Sequence, residues 1–354
     1  MPRDVVIVAA QAFKETLSAA EVAAAFTRAL ASRAVAGSVF RCSDGGDGLL
    51  DALGPRLRER TIHATTDPLG RPVTAEIGWL ADGGAVVESR LACGLALLGP
   101  GERKPLVTST RGVGTLVSAA AFRGAGRVFV GLGGSATMDG GAGMARAWGW
   151  VPAGPRGELP EGGGALADLE QFDPGRRPEV ELVGLCDVRN PLTGPQGAVL
   201  FARQKGASAA AEARLAQGLE RLVRVTRGEQ DAARPGAGAA GGLGFGLVRF
   251  GGGTLQSGAA WFLDRTGFDR DLRAARLVVA CEGRFDRTSL GGKLTGEVIA
   301  RARAGGVPVL LVAPAADDVP EGVTVASGPG RWTVADLEAR AGEGIERALG
   351  LSGR

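Results

Sequence analysis

The sequence predicts an α/β protein built on a doubly wound parallel sheet, and three observations carry that expectation. Val5–Ala10 is a continuous apolar run, the pattern of a strand covered on both faces. A strand–loop–helix rhythm starts there and resumes near the C-terminus, while the middle of the chain is richer in irregular loops. Gly-rich loops carrying Asp or Glu recur directly after the predicted strands, where such a sheet places its ligands.

The elements follow in order. After Val5–Ala10, Ser18 and Glu21 form a capping box for a helix over Ala19–Ser32. Val39–Cys42 is a second strand, ending in Ser43-Asp44-Gly45-Gly46-Asp47-Gly48, and a helix is expected from Leu49 to about Arg58. Val73–Leu80 and Ala85–Glu88 read as a hairpin around Asp82-Gly83-Gly84. Gly112–Phe122 is an amphipathic helix feeding the strand Arg127–Val130. That strand pours into Gly131–Gly143 (G-L-G-G-S-A-T-M-D-G-G-A-G) and a helix body at Met144–Trp148. Pro152–Gly164 and Arg234–Gly246 are expected as loops, Leu182–Cys186 as a strand and Ala207–Arg227 as a surface helix. Leu277–Ala280 and Val307–Val312 are strands flanking a helix at Thr295–Ala304, and Trp332–Gly350 is a helical tail. With 354 residues, two cores are expected. The boundaries drawn are a discontinuous Rossmann/flavodoxin-like domain, 1–75 plus 265–354, and an inserted α/β domain, 76–264.

Composition excludes several classes. A net charge of +3, with no Lys/Arg cluster interleaved with aromatics, argues against nucleic acid. No apolar stretch of about 18 residues is present, so no membrane helix is expected. The four cysteines form no C-x-x-C pair, which argues against a zinc site or disulfide framework and fits a reducing cytoplasm. A single histidine, His63, leaves no material for a His-based triad or metal cage. Arg greatly outnumbers Lys, which occurs only at 14, 104, 205 and 293. Lys14, Lys205 and Lys293 each sit beside Gly or hydroxyl residues, where a compact ammonium can meet a phosphate end-on.

Four acidic loops, Ser43–Gly48, Asp139–Gly141, Cys186–Asn190 and Glu282–Asp286, can supply Mg²⁺ ligands or a base for a hydroxyl proton. The Gly131–Gly143 turn offers backbone amides and a helix N-terminus to an anion; the competing reading is a tight β–α connection. Gly292-Lys293 fails as a Walker A ending because Arg287 stands where its first glycine belongs. Gly131-x-Gly133-x-x-Ala136 meets a relaxed dinucleotide fingerprint, so an NAD-dependent dehydrogenase stays open as an alternative.

Taken in order, these stretches resemble the type I glycerate kinase family. The segments are Phe13-Lys14 with Leu17-Ser18-Ala19, Asp44–Gly48, Asp67–Gly70, Glu88, Gly94-Leu95, Gly112–Gly114 and Gly131–Gly143. They continue with Cys186–Leu192, Gln204–Ala207, Gly236–Gly244, Glu282–Asp286 and Gly292-Lys293. The resemblance implies an enzyme that moves the γ-phosphoryl group of ATP to a hydroxyl of D-glycerate with Mg²⁺, in a cleft between two α/β domains. It implies a cytoplasmic monomer or homodimer acting on a small hydroxy acid. On that basis Asp187 or Asp44 is the expected base, with Lys14 beside it in the catalytic set. Arg284, Ser135, Asn190 and Lys205 are assigned to the substrate. Gly133, Gly134, Thr137 and Lys293 are assigned to the nucleotide, and Asp139 and Asp286 to the metal. The chain departs from the family at Gln11 and Ala12 (usually Asp and Ser), Met138 (usually Asn), Cys281 and Thr288-Ser289. Arg90 and Arg111 also replace small or aromatic residues, which raises a related hydroxy acid, or a weakly active homologue, as alternatives.

Overall fold

A computed structural model describes residues 5–13 and 16–351. Its first elements are β1 (Val5–Ala10), α1 (Ala19–Ala31), β2 (Gly37–Arg41), α2 (Leu49–Leu53), β3 (Leu57–Thr66), β4 (Pro72–Leu80) and β5 (Ala85–Glu88). Then come α3 (Arg90–Cys93), α4 (Arg111–Phe122), β6 (Arg127–Gly131), α5 (Ala142–Ala147), β7 (Val151–Gly154), β8 (Gly157–Glu158), β9 (Gln171–Asp173) and β10 (Glu181–Cys186). The rest are α6 (Ala209–Thr226), α7 (Glu229–Ala232), α8 (Ala239–Arg249), β11 (Thr254–Ser257), α9 (Gly258–Thr266) and α10 (Phe268–Leu272). The chain closes with β12 (Ala275–Cys281), α11 (Leu294–Ala304), β13 (Val309–Val312), β14 (Val323–Ala326) and α12 (Val334–Leu349).

The chain divides into two compact units, Met1–Asp44 with Ala259–Arg354, and Gly45–Gly258. In the first, five parallel strands run β14-β13-β12-β1-β2. Counted within that unit, the order is the flavodoxin-like 2-1-3-4-5, whose switch point lies between β1 and β12. Its core joins the apolar β-strand residues to the inner faces of α1 and α12, including Phe26, Leu277, Leu310 and Ile345. Ser18 caps α1 and Glu21 returns to the Ser18 amide at 2.8 Å, completing the expected capping box.

The second unit holds a six-stranded sheet, β11-β10-β6-β5-β4-β3, and a small antiparallel sheet, β8-β7-β9. β11, β10, β6 and β5 are parallel; β4 and β3 are antiparallel. The expected boundary at 75/76 therefore differs from the structural one. β3 pairs with β4, and β4 with β5, so 45–75 belong with the later strands of this sheet. The helix expected from Leu49 to Arg58 stops at Leu53, because Gly54-Pro55 turn the chain and Leu57–Arg60 enter β3. The Pro152–Gly164 loop contains the β7–β8 hairpin. The Arg234–Gly246 stretch, expected as a loop, passes at Ala239 into α8, whose Ala240, Gly241 and Gly242 have left-handed φ values. A Cβ on Gly241 would lie 1.8 Å from the Thr137 carbonyl oxygen, so that approach requires glycine.

Candidate active site

Within the 45–258 unit, adjacent parallel strands bring polar residues to one carboxyl edge. Register places Glu88 of β5 and Leu185 of β10 on either side of Gly131 of β6, and Asp187 follows β10 directly. The Gly45–Gly48 loop packs backbone to backbone on the turn after β6. A Cβ on Gly131 would stand 2.5 Å from the Gly45 carbonyl oxygen. One on Gly134, whose φ is +58°, would stand 2.5 Å from Asp47 Oδ1.

Glu88, 2% exposed, fixes that loop. Its Oε1 accepts the Leu50 amide at 2.7 Å, and its Oε2 accepts the Gly48 amide at 3.2 Å and Arg90 Nε at 2.6 Å. The carboxylate thus meets orphan amides at the start of α2, where helix geometry favours negative charge. Glu88 carried no assigned role in the sequence reading. Its signal was a carboxylate ending the apolar run Ala85-Val86-Val87, in a strand buried at every position.

The anion cradle expected after β6 is present only at its start. Gly133 is half-buried and Gly134 exposed, so their backbone reaches solvent. Ser135 and Thr137 are buried, which removes both hydroxyls from the direct ligand contacts assigned to them. Lys205, 4% exposed, instead donates to Ser135 Oγ at 2.7 Å and to the Thr137 carbonyl at 2.9 Å. Its ammonium ties the turn together from inside rather than presenting itself to a substrate. Burial pushes the Lys205 pKa down to about 8, partly opposed by the nearby Cys93 and Asp139.

Asp139 is the clearest correction. It is 1% exposed and cannot offer an open face to a metal. Its carboxylate accepts the Thr110 amide at 2.8 Å, the Thr110 hydroxyl at 2.9 Å and the Gly141 and Gly143 amides at 3.1 Å each. The helix-start amides read as a ligand cradle are therefore filled by the chain's own carboxylate. Burial raises the Asp139 pKa, with the Thr110 and glycine donors pulling the other way. Met138, read as a break in a functional motif, is fully buried in the unit's hydrophobic core. The dinucleotide fingerprint also fails in context: α5 begins only at Ala142, and Ala136 is buried with its amide on the Cys93 carbonyl.

Asp187 and Asn190 are half-buried after β10. Asn190 Nδ2 donates to the Gln196 carbonyl at 2.8 Å, so this side chain folds its own loop. The two extra arginines are matched by carboxylates, Arg90 by Glu88 at 2.6 Å and Arg111 by Glu161 at 2.7 Å. Both guanidinium groups are therefore already paired within the chain.

In the other unit, Asp44 is half-buried after β2, and Lys14 lies outside the described residues. At the switch point, Gln11 Nε2 donates to the Cys281 carbonyl at 2.9 Å and to Thr295 Oγ1 at 2.8 Å. An aspartate cannot donate, so Gln11 spans β1, β12 and α11 in a way the usual family residue does not. Past β12, Asp286 Oδ1 accepts the Thr288 amide at 2.8 Å and hydroxyl at 2.6 Å. The Thr288 hydroxyl and amide hold the Asp286 carboxyl below the usual range. Lys293 Nζ lies 3.1 Å from Thr288 Oγ1 and 3.7 Å from Glu282 Oε1. Arg284 is open, its side chain 67% exposed and 3.0 Å from Asp317.

A metal fits this second edge better than the first. Among the described residues no three His, Cys, Asp or Glu side chains gather to hold one. A Mg²⁺ ion bound mainly through substrate oxygens needs only one or two carboxylates. Asp286 keeps Oδ2 uncommitted to Thr288, and Glu282 Oε2 is buried with no hydrogen-bond partner.

Comparison with known proteins agrees with this architecture. Residues 6–338 match the glycerate kinase family. A glycerate kinase of Bacillus subtilis (strain 168) is 40% identical over 87% of this chain and 84% of its own length. A glycerate 2-kinase of Escherichia coli (strain K12) is 37% identical over 87% and 84%. A crystal structure from Salmonella typhimurium LT2, assigned as a glycerate kinase 2, matches with a TM-score of 0.79 at 31% identity, covering 98% of each chain. No helix among the described residues is long and apolar enough to cross a membrane. The protein belongs to the glycerate kinase family.

Proposed function

We propose that this protein transfers the γ-phosphoryl group of ATP to a hydroxyl of D-glycerate. The observation that carries the reading is the carboxyl edge of the six-stranded sheet. There a half-buried aspartate, Asp187, follows β10 beside the Gly-rich turn after β6, whose Gly133 and Gly134 backbone reaches solvent, and the buried carboxylate Glu88 fixes the facing loop through the Gly48 and Leu50 amides. Phosphoryl transfer asks little covalent chemistry of a protein and much positioning. Asp187 accepts the hydroxyl proton as the new P–O bond forms and the bond to the ADP oxygen breaks; Asp44 is the alternative base. The amides of Gly133 and Gly134 hold phosphate oxygens, while Lys205, Ser135 and Asp139 keep that turn in shape. Lys293 neutralises phosphate charge, and Arg284 grips the glycerate carboxylate through its planar fork. Asp286 and Glu282 would hold Mg²⁺, which on binding neutralises phosphate charge in the transition state.

Coupled ADP release, measured with ATP and Mg²⁺ over a small panel of hydroxy acids, tests this proposal. D-glycerate is expected to give the highest kcat/KM. A faster acid elsewhere in the panel would reassign the substrate. Turnover of NAD with no ADP release would replace the kinase reading altogether.

A further inference from the structure

Gln11 follows β1 directly, at the switch point of the five-stranded sheet, and is half-buried. Its amide can sit only one way round. The Cys281 carbonyl, 2.9 Å away, is an obligate acceptor, so the atom that faces it is the nitrogen. The second amide hydrogen goes to Thr295 Oγ1 at 2.8 Å, and that hydroxyl donates its own hydrogen to the same Cys281 carbonyl at 3.4 Å. Thr295 is 2% exposed and lies in the first turn of α11, so this triangle is anchored in packed structure. Both donors of Gln11 are thereby spent within the fold. Its Oε1 remains. Among the described residues no hydrogen bond reaches that atom, and it is not shut away from solvent. Glu282, Arg284, Asp286 and Lys293, which follow β12 on the same edge, are all charged, and Gln11 Oε1 stands beside them as a fixed neutral acceptor.

We propose that Gln11 is a specificity-determining residue, whose Oε1 accepts a hydrogen bond from the hydroxyl of D-glycerate that is not phosphorylated. This rests on the kinase reading above, in which Arg284, three residues beyond Cys281, takes the carboxylate of the acid. A neutral acceptor holds no cation and finds no hydrogen on a phosphate oxygen, so it selects an uncharged donor. A three-carbon dihydroxy acid carries one such hydroxyl to spare once the other receives the phosphoryl group. The two bonds to Cys281 and Thr295 set the direction of Oε1 before the ligand arrives, which lets a single hydrogen bond discriminate.

Coupled ADP release measured with D-glycerate, D-lactate and 3-hydroxypropionate tests the assignment. Each analogue lacks one of the two hydroxyls, so whichever is phosphorylated lacks the spare one. The native chain is expected to prefer D-glycerate over the better analogue by about tenfold or more in kcat/KM, the worth of one well-placed hydrogen bond. Gln11→Met, similar in length but without the amide, is expected to raise the KM for D-glycerate about tenfold, with the analogue and the KM for ATP little moved. Thr295→Val, which leaves the Cys281 bond to orient the amide, is expected to lower the melting temperature and keep the preference. A native chain that does not distinguish the acids would overturn the proposal. So would a Gln11→Met variant that loses both acids equally, or one that moves the KM for ATP instead. A native chain that releases no ADP with D-glycerate would remove the kinase reading itself, a result visible before any variant is made.

Discussion

The carboxyl edges of the two parallel sheets use charge in opposite ways. In the 45–258 unit Glu88, Asp139 and Lys205 are buried, and each is committed to backbone groups of the loops around it. In the other unit Arg284, Asp286 and Lys293 remain at least partly accessible and hold one another or a short turn. Buried charge must be matched in place or it destabilises the fold, so it acts by setting backbone shape. Accessible charge contributes little to stability and stays available to a ligand. Under the proposed function, the difference would separate residues that build the site from residues that meet its substrate, although both groups looked alike as Asp, Glu and Lys in Gly-rich loops.

That contrast is open to attack by substitution. The largest effect is expected from Met138→Asn, because the usual family amide would be buried in an apolar core. A loss of about 3 kcal/mol in denaturant unfolding is expected; an unchanged midpoint would mean the site around Met138 is polar after all. Glu88→Gln keeps the shape but weakens the hold on the Gly48 and Leu50 amides. A drop of roughly 10²-fold in kcat is expected from the misplaced loop, with substrate KM little altered.

Lys205 gives a sign that can be read against pH. Its folded pKa of about 8 lies below the ordinary 10.5, so between those values the unfolded chain binds more protons. Stability from this group is lowest below about pH 8 and rises as pH climbs towards 10.5. Lys205→Met is expected to lack that rise; parallel pH profiles for variant and native protein would put the titration elsewhere. The smallest effect on the fold is expected at the open edge. Arg284→Ala, which loses only an exposed ion pair with Asp317, should change stability by less than about 0.5 kcal/mol. The same variant should raise the KM for D-glycerate roughly tenfold, about 1.4 kcal/mol of lost binding. A large fall in melting temperature with KM intact would invert its role.

Much of the fold was legible because its strands are short Val, Ile and Ala runs, and periodicity reports two-sided burial well. The domain boundary was misplaced because β3 alternates exposed with half-buried residues and lacks the apolar signal of the other strands. The site was legible as a set of loops but not as a set of roles. Nothing local to Asp139 reveals that Thr110, twenty-nine positions earlier, occupies its carboxylate. Nothing near Lys205 announces Ser135 as its partner, seventy positions away. Gln11 shows the same limit: it looked like a lost acid, and its use as a donor to Cys281 and Thr295 appears only when β1 and β12 are side by side.

The most direct test pairs two isosteric substitutions, Asp187→Asn and Asp139→Asn, with kcat and melting temperature measured on both. Asp187→Asn is expected to lose about 10²–10⁴-fold in kcat with its melting temperature unchanged. Asp139→Asn is expected to melt well below the native protein, because an amide cannot accept from all the Thr110, Gly141 and Gly143 donors. The opposite pattern, a stable but inactive Asp139→Asn beside an active Asp187→Asn, would contradict the division between building and reacting carboxylates.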